Sequence, residues 1–330
     1  MNVFVTGASG LLGSNVVREL IAQNFSVRAM VEKGKPYPTI HGLPIEIVEG
    51  NILDPDFLKN KMAGYDYVIH SAASTAVYPF RSARQWEINV TGTVNVAEAC
   101  LANHVKRMVY VGTANSFGAG TLDRPGTETN SYTAFKYGLD YTDSKYEAHR
   151  TVLRMVAEND LDAVIVNPTF MIGPYDSGPS SGAMILAVAQ RKLPGFSPGR
   201  RNYLYVKDAA AGVVAALQKG KAGECYILGC ENLTYQEIFE KIANIIGVKP
   251  PAIAMPSFAV KAYGWLGTFM GAITGKAPQV SHPLARMACD DFVYSSQKAI
   301  RELGLPQTPL NVAIEDAITW FRQNGYLAAK

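Results

Sequence analysis

Cysteine, histidine and unbalanced charge are all scarce in this chain. Four cysteines occur in 330 residues, Cys100, Cys225, Cys230 and Cys289, with no CxxC pair and no Cys/His ligand spacing. That excludes a zinc ribbon or a disulfide framework, and the thiols read as reduced, mostly core residues of a cytoplasmic protein. The five histidines, His41, His70, His104, His149 and His282, show no metal-ligand spacing either, so no metal is expected. A net charge of +3 without any Lys/Arg cluster interleaved with aromatics argues against a nucleic-acid partner. There is no internal repeat, no low-complexity tract and no clean membrane span. The chain opens directly on a strand-like run, so a signal peptide is not expected.

What is present is apolar sequence in short, ordered runs. Hydrophobic residues make up 48% of the chain, enough for a sizeable core, and the length fits about two domains. The first run sets the pattern. Val3, Phe4 and Val5 have the character of a strand buried on both faces, and Gly7, Gly10 and Gly13 follow at three-residue spacing. Leu12, Val16 and Leu20 then share one face of a helix. In a strand–turn–helix unit, Gly7 allows the tight turn, Gly10 lets a pyrophosphate approach the backbone, and Gly13 lets the helix pack close. The free N–H groups and the dipole of the helix start favour a phosphate.

Apolar β runs at Ser26–Val31, Ile45–Val48, Tyr67–Ile69, Met108–Val111 and Ala163–Val166 alternate with amphipathic stretches, among them Ser82–Asn103 and Tyr137–Asn159. Such alternation implies an α/β fold, a Rossmann-type doubly wound parallel sheet with right-handed crossovers. Ligands in these sheets lie at the carboxyl ends of the strands. The loops of interest are therefore Thr6–Gly13, Glu32–Lys35, Asn51–Asp54, Ser71–Ala73, Gly112–Gly118 and Asn167–Pro174.

After Pro168 the rhythm breaks into long proline- and glycine-bearing loops. Strand-like Tyr203–Val206, a helix from Asp208 and strand-like Cys225–Leu228 follow, and Thr234 with Glu237 forms a capping box. The expected organisation is a dinucleotide-binding domain of residues 1–170, with 203–230 returning to it. A smaller mixed lobe of 171–202 and 231–330 would shape the substrate site. Ser257–Thr274 is markedly apolar but holds Lys261 and several glycines. It reads as a helix packed over the cleft or the lobe interior; the sharper alternative is an interfacial helix or a greasy lid.

Two residue sets carry candidate chemistry. Tyr141 and Lys145 are spaced i, i+4 in YTDSK and so share a helix face. An ammonium near a phenol stabilises the phenolate, which would make Tyr141 an acid or base near neutral pH. A second such pair, Tyr132 and Lys136, competes with it; the clear continuation of the helix beyond Tyr141 favours the later one. Thr113, just past the fifth strand, places a hydroxyl at the cofactor end of the sheet, or simply satisfies its own backbone.

Together these stretches resemble the extended short-chain dehydrogenase/reductase superfamily, in its NAD-dependent epimerase/dehydratase group. The resemblance covers essentially the whole chain: TGASGLLG, GNILD, HSAA (His70–Ala73), EINVTGT, VGTANSFG, YTDSK, NPTFMIGP and NYLYVKDAA all have counterparts there. It is most similar to the dihydroflavonol-reductase-like branch, which includes proteins described as hopanoid-associated sugar epimerases. The resemblance implies Tyr141 as general acid/base, Lys145 lowering its pKa and binding the nicotinamide ribose, Thr113 orienting the substrate oxygen, and Asn89 supporting a proton-relay water. It also implies Gly7, Ser9, Gly10, Leu11, Leu12 and Gly13 around the pyrophosphate, Asn51 and Ile52 flanking the adenine, Ser71, Ala72 and Ala73 behind the ribose, and Pro168 and Thr169 at the carboxamide. It further implies a homodimer through the helices of Ser82–Asn103 and Tyr141–Asn159.

The departures are informative. Asn51 stands where the group often has Asp, and Thr113 where Ser is usual. After the second strand there is neither the Asp of NAD enzymes at Val31 nor the Arg of NADP relatives at Glu32. A carboxylate at Glu32 accepts from a ribose 2′-OH and repels a 2′-phosphate, which favours NAD over NADP, although Lys33 and Lys35 pull the other way. Ala114 and Asn115 replace the acidic pair of sugar dehydratases. Asn167 and Phe170 replace the polar pair of sugar-nucleotide enzymes, and Tyr205 replaces their His; Arg201 and Asp208 match them. The leading expectation is a reductase acting on a fairly apolar small molecule. The alternatives are a nucleotide-sugar epimerase with tightly bound NAD and a catalytically silent cofactor-sensing regulator.

Overall fold

The structure, a computed structural model, describes residues 1–278 and 280–328. Seven strands form one parallel sheet: β1 (Asn2–Thr6), β2 (Ser26–Glu32), β3 (Glu46–Gly50), β4 (Tyr67–His70), β5 (Arg107–Val111), β6 (Ala163–Pro168) and β9 (Cys225–Leu228). Their order is β3-β2-β1-β4-β5-β6-β9, so the direction of winding reverses between β1 and β4. Central strands covered on both faces must be apolar throughout, and β1 and β6 are buried at nearly every position. Helices α1 (Leu11–Ala22), α2 (Pro55–Lys61), the single turn α3 (Ala83–Trp86), α4 (Gly92–Ala102) and α5 (Asp140–Asn159) follow in chain order. A π-helical turn, Glu87–Thr91, joins α3 to α4.

A second sheet holds β7 (Phe170–Ile172), β8 (Arg200–Tyr205) and β10 (Glu231–Thr234) in the order β10-β8-β7. The strand expected to return to the main sheet at Tyr203–Val206 is thus part of the small one. The pairing gives the reason: Phe170, Met171 and Ile172 have already left the main sheet, and they pair in parallel with Tyr203, Leu204 and Tyr205. The return is made by β9, after α7 (Val206–Lys219), whose start lies two residues before the expected Asp208. A short helix, α6 (Ala183–Ala189), lies where only loops were expected.

Helices α8 (Tyr235–Ile246), α9 (Ser257–Thr274), α10 (His282–Cys289), α11 (Gln297–Leu303) and α12 (Leu310–Gln323) complete the chain. The Thr234–Glu237 capping box opens α8 as expected. Asp208 accepts from the Thr308 N–H at 2.7 Å and from its hydroxyl at 2.9 Å, fixing the approach to α12.

Candidate active site

The carboxyl edge of the sheet gathers the residues singled out from the sequence. At the end of β1, Gly7 adopts φ +68°, a left-handed conformation that favours glycine. A Cβ on Gly7 would lie 2.5 Å from the Ala72 nitrogen, and one on Gly13 would lie 2.0 Å from the Gly7 carbonyl oxygen. The turn, α1 and the Ser71–Ala73 segment therefore touch backbone to backbone. At Gly10, by contrast, a Cβ would meet protein only at 3.4 Å, so the outer side of the turn lies open. Helix α1 has no side-chain N-cap and no acidic residue in its first turn, which leaves its N–H groups to an anion. Thr39 braces the turn from outside by donating to the Ser9 carbonyl at 2.8 Å. These features fit a dinucleotide pyrophosphate.

Behind the turn runs a buried chain of hydrogen bonds that sequence reasoning missed. Thr93 donates to the Asn89 carbonyl at 2.6 Å, so its oxygen accepts from His70 Nε2 at 3.0 Å. His70 Nδ1 then accepts from Thr6 at 2.7 Å. Burial, helped by the charge of Lys145, pushes the imidazole down to about 3, so it stays neutral. His70 is therefore a buried, neutral bridge between Thr6 and Thr93.

Asn51 is exposed, and its Oδ1 accepts the Leu53 N–H at 3.0 Å. Ile52 is buried against Gly92, where a Cβ would strike it at 2.5 Å. Glu32 ends β2 at the surface. Beside it Glu49, which sequence reasoning passed over, accepts the Gly34 N–H at 3.3 Å. Thr169 gives its N–H to the Leu228 carbonyl at 2.9 Å and its hydroxyl to Asn202 at 2.8 Å, so both of its donors are spent within the protein.

Tyr141 opens α5, where Asp140 accepts from Arg81 at 2.7 Å and from the Ser82 N–H at 2.6 Å. That ties the helix start to the loop after β4. The Thr113 hydroxyl lies beside the Tyr141 phenol and favours its ionised form, but burial outweighs it and the phenol is pushed up. Lys145, expected to lower that pKa, does not enter the balance. Its Nζ donates to the Val111 carbonyl at 2.7 Å, lies 4.4 Å from the centre of the Tyr110 ring, and is pushed down by burial to about 7. A desolvated ammonium is itself driven toward the neutral amine, and the Val111 carbonyl holds it. In the protein alone Tyr141 is a protonated, donor-competent phenol.

The competing pair separates. Tyr132 donates to Asp143 at 2.5 Å and stacks on Tyr146, while Lys136 pairs with Asp290 at 2.8 Å. Asn89 gives its amide to the Ser74 carbonyl at 3.0 Å and the Ser144 hydroxyl at 2.9 Å, and accepts the Ser74 N–H at 2.7 Å. Its contacts hold the loop against α5, with no direct bond to Lys145. Asn167, noted only as a departure, donates to the Thr113 carbonyl at 3.0 Å and so positions that residue. A hollow of about 680 Å³, lined by Asn2, Ser26, Pro44 and Tyr65 among others, sits at the opposite edge, where the strands begin.

A doubly wound sheet with an open glycine turn, and a tyrosine, lysine and threonine converging on its carboxyl edge, defines an NAD(P)-dependent oxidoreductase of the extended short-chain type. The chain belongs to the NAD dependent epimerase/dehydratase family, whose model matches residues 3–229. It is 32% identical over 329 residues to a protein of Synechocystis provisionally named dihydroflavonol 4-reductase, covering 98% of this chain and 95% of that one. It is 29% identical over 332 residues to sterol demethylase protein B of Methylococcus capsulatus, covering 99% and 100%. The crystal structure of gox2253 superposes with a TM-score of 0.87 at 33% identity, covering 98% of this chain and 99% of that one.

Proposed function

We propose that the enzyme interconverts a carbonyl and an alcohol on a fairly apolar small molecule, with Tyr141 passing the proton to or from the substrate oxygen. The observation that carries this is the meeting of the Tyr141 phenol with the Thr113 hydroxyl, while Lys145 reaches past them to the end of β5. In this reading the protonated phenol donates to a developing alkoxide, Thr113 orients the same oxygen, and Lys145, held on the Val111 carbonyl, would face the nicotinamide ribose. The glycine turn, the start of α1 and the Ser71–Ala73 segment would hold the dinucleotide, which when bound supplies or accepts the hydride. Glu32 and Glu49 support NAD over NADP, because two carboxylates there disfavour a 2′-phosphate. The likeness to sterol demethylase protein B supports an apolar substrate.

One observation favours a nucleotide-sugar epimerase. The Arg201 guanidinium has no carboxylate partner among the described residues; it donates to the Tyr235 hydroxyl at 2.5 Å and lies over the Phe292 ring. A diphosphate would supply the missing countercharge. Against this, Asp208 of the same motif is committed to Thr308. A panel of ketones, aldehydes and secondary alcohols, read by the absorbance of reduced nicotinamide with each cofactor, separates the two. Net cofactor turnover with apolar substrates is expected. Conversion of a nucleotide sugar without net cofactor change would overturn the reductase reading, and faster turnover with NADP would overturn the choice of NAD.

A further inference from the structure

Helix α9 is built inside out for a surface helix. Its small residues face the protein: Val260, Gly264 and Gly271 are buried, and a Cβ on Gly264 would meet Ala285 at 2.4 Å. Its large ones face water. Phe258, Tyr263, Trp265, Leu266, Phe269, Met270 and Ile273 are all exposed, Phe258 by 77% and Ile273 by 65%. The Trp265 and Phe269 rings stack with centroids 5.6 Å apart. A contiguous apolar stripe of this kind on a convex helix marks an interaction surface. Among the described residues no helix is long and apolar enough to cross a membrane.

The surrounding charge selects the occupant. From Lys249 to Cys289 the sequence holds Lys249, Lys261, Lys276 and Arg286 and not one Asp or Glu. Lys249, Lys261 and Lys276 are exposed. The nearest acid, Asp290, lies within the field of Lys261 and is already paired with Lys136, so the charge around the stripe is predominantly cationic. An apolar stripe carrying Trp and Tyr with a cationic surround has the composition of a helix lying in the plane of an anionic bilayer. We propose that α9 docks this enzyme on anionic lipid, with the stripe sunk among the acyl chains and the lysines at the phosphates. A second copy of the chain would bring the same cations against one another, so like charges disfavour it.

The docked face adjoins the candidate site. Helix α10 lies under α9, and its Met287 shares a buried cluster with Ala114, Phe117 and Leu139, residues next to Thr113 and to the start of α5. At the other end a side chain on Gly271 would meet the Tyr78 hydroxyl at 3.2 Å, in the loop that follows β4. An apolar substrate could then reach the site from the bilayer; that consequence rests on the reductase reading, whereas the docking does not.

The test is co-sedimentation of the full chain with vesicles of phosphatidylcholine alone and of an equimolar mixture with phosphatidylglycerol. Binding is expected only to the mixed vesicles and to weaken with salt. Leu266→Glu with Phe269→Glu, at exposed positions, should cut it by at least about tenfold, as should Lys261→Glu with Lys276→Glu by about tenfold, with far-ultraviolet circular dichroism and cofactor affinity unchanged. Wild-type protein left in the supernatant, or apolar-face variants that bind like wild type, would overturn the proposal. So would a wild-type dimer that the same variants split into monomers, because a second copy would then cover the stripe. Turnover of a water-soluble substrate, measured alongside, reports on the reductase reading separately.

Discussion

Burial sets the charge state of three groups around the site. His149 lies one turn beyond Lys145 on α5, beside the Cys225 thiol and the Phe117 ring, and burial brings it down to about 4. Between its ordinary value of 6.5 and about 4, the unfolded chain takes up a proton that the folded chain refuses. Stability must therefore fall as pH falls through that window, and His70 extends the same trend to about 3. Between pH 7 and pH 5 the His149 contribution amounts to about 2 kcal/mol. Urea unfolding at the two pH values should show His149→Gln losing correspondingly less stability than wild type; an unchanged pH dependence would contradict the assignment. Lys145 works at higher pH: the folded site holds it near 7 while the unfolded chain keeps it charged to about 10, so it makes the protein more stable as pH rises from 7. None of this is legible from residue spacing. The pair Tyr141–Lys145 is visible, but the Val111 carbonyl that holds the ammonium comes from β5, distant in the sequence.

At the scale of elements, the glycine turn shows how closely β1, α1 and β4 are coupled. Gly13→Ala would place a methyl group 2.0 Å from the Gly7 carbonyl oxygen, so α1 must retreat from the turn. The expected result is a loss of about 2 kcal/mol in stability, with cofactor affinity down by at least about tenfold because the helix start moves away from the phosphate. Calorimetric titration and thermal melting check both; an unaffected affinity would mean that the turn does not hold the cofactor. These elements were plain in the sequence, since buried parallel strands such as Val3–Val5 and Ala163–Val166 are continuous apolar runs between helical periods. The second sheet was not, because β7 has three residues and β10 is half-buried at every position, which leaves no two-residue alternation to read. The apolar composition of α9 suggests a covered helix, because apolar residues usually are covered. The spacing of Gly264, Gly267 and Gly271 was the available sign that its small face, not its large one, would point inward.

Over the whole molecule, the lipid-docking proposal stands beside a separate proposal of dimerisation. The resemblance implies a homodimer through the α4 and α5 face, which leaves the α9 stripe free. Mass measured in solution should be that of a dimer, and charge-reversing substitutions at exposed Arg150 and Arg154 on α5 should shift it toward monomer. Variants that leave the mass unchanged, or a monomeric wild type, would contradict this arrangement. Dimerisation of that kind and lipid docking are compatible, since α9 and α5 present different surfaces.

The account depends on the Tyr141 hydroxyl being the proton donor at the carboxyl edge of the sheet. Tyr141→Phe removes that hydroxyl and leaves the glycine turn intact, whereas Tyr132→Phe removes the hydroxyl of the competing pair. Turnover measured by reduced-nicotinamide absorbance, with cofactor affinity measured on the same samples, should fall by roughly a hundredfold or more in Tyr141→Phe with affinity unchanged, and hold near wild type in Tyr132→Phe. Full turnover in Tyr141→Phe, or the larger loss in Tyr132→Phe, would contradict it.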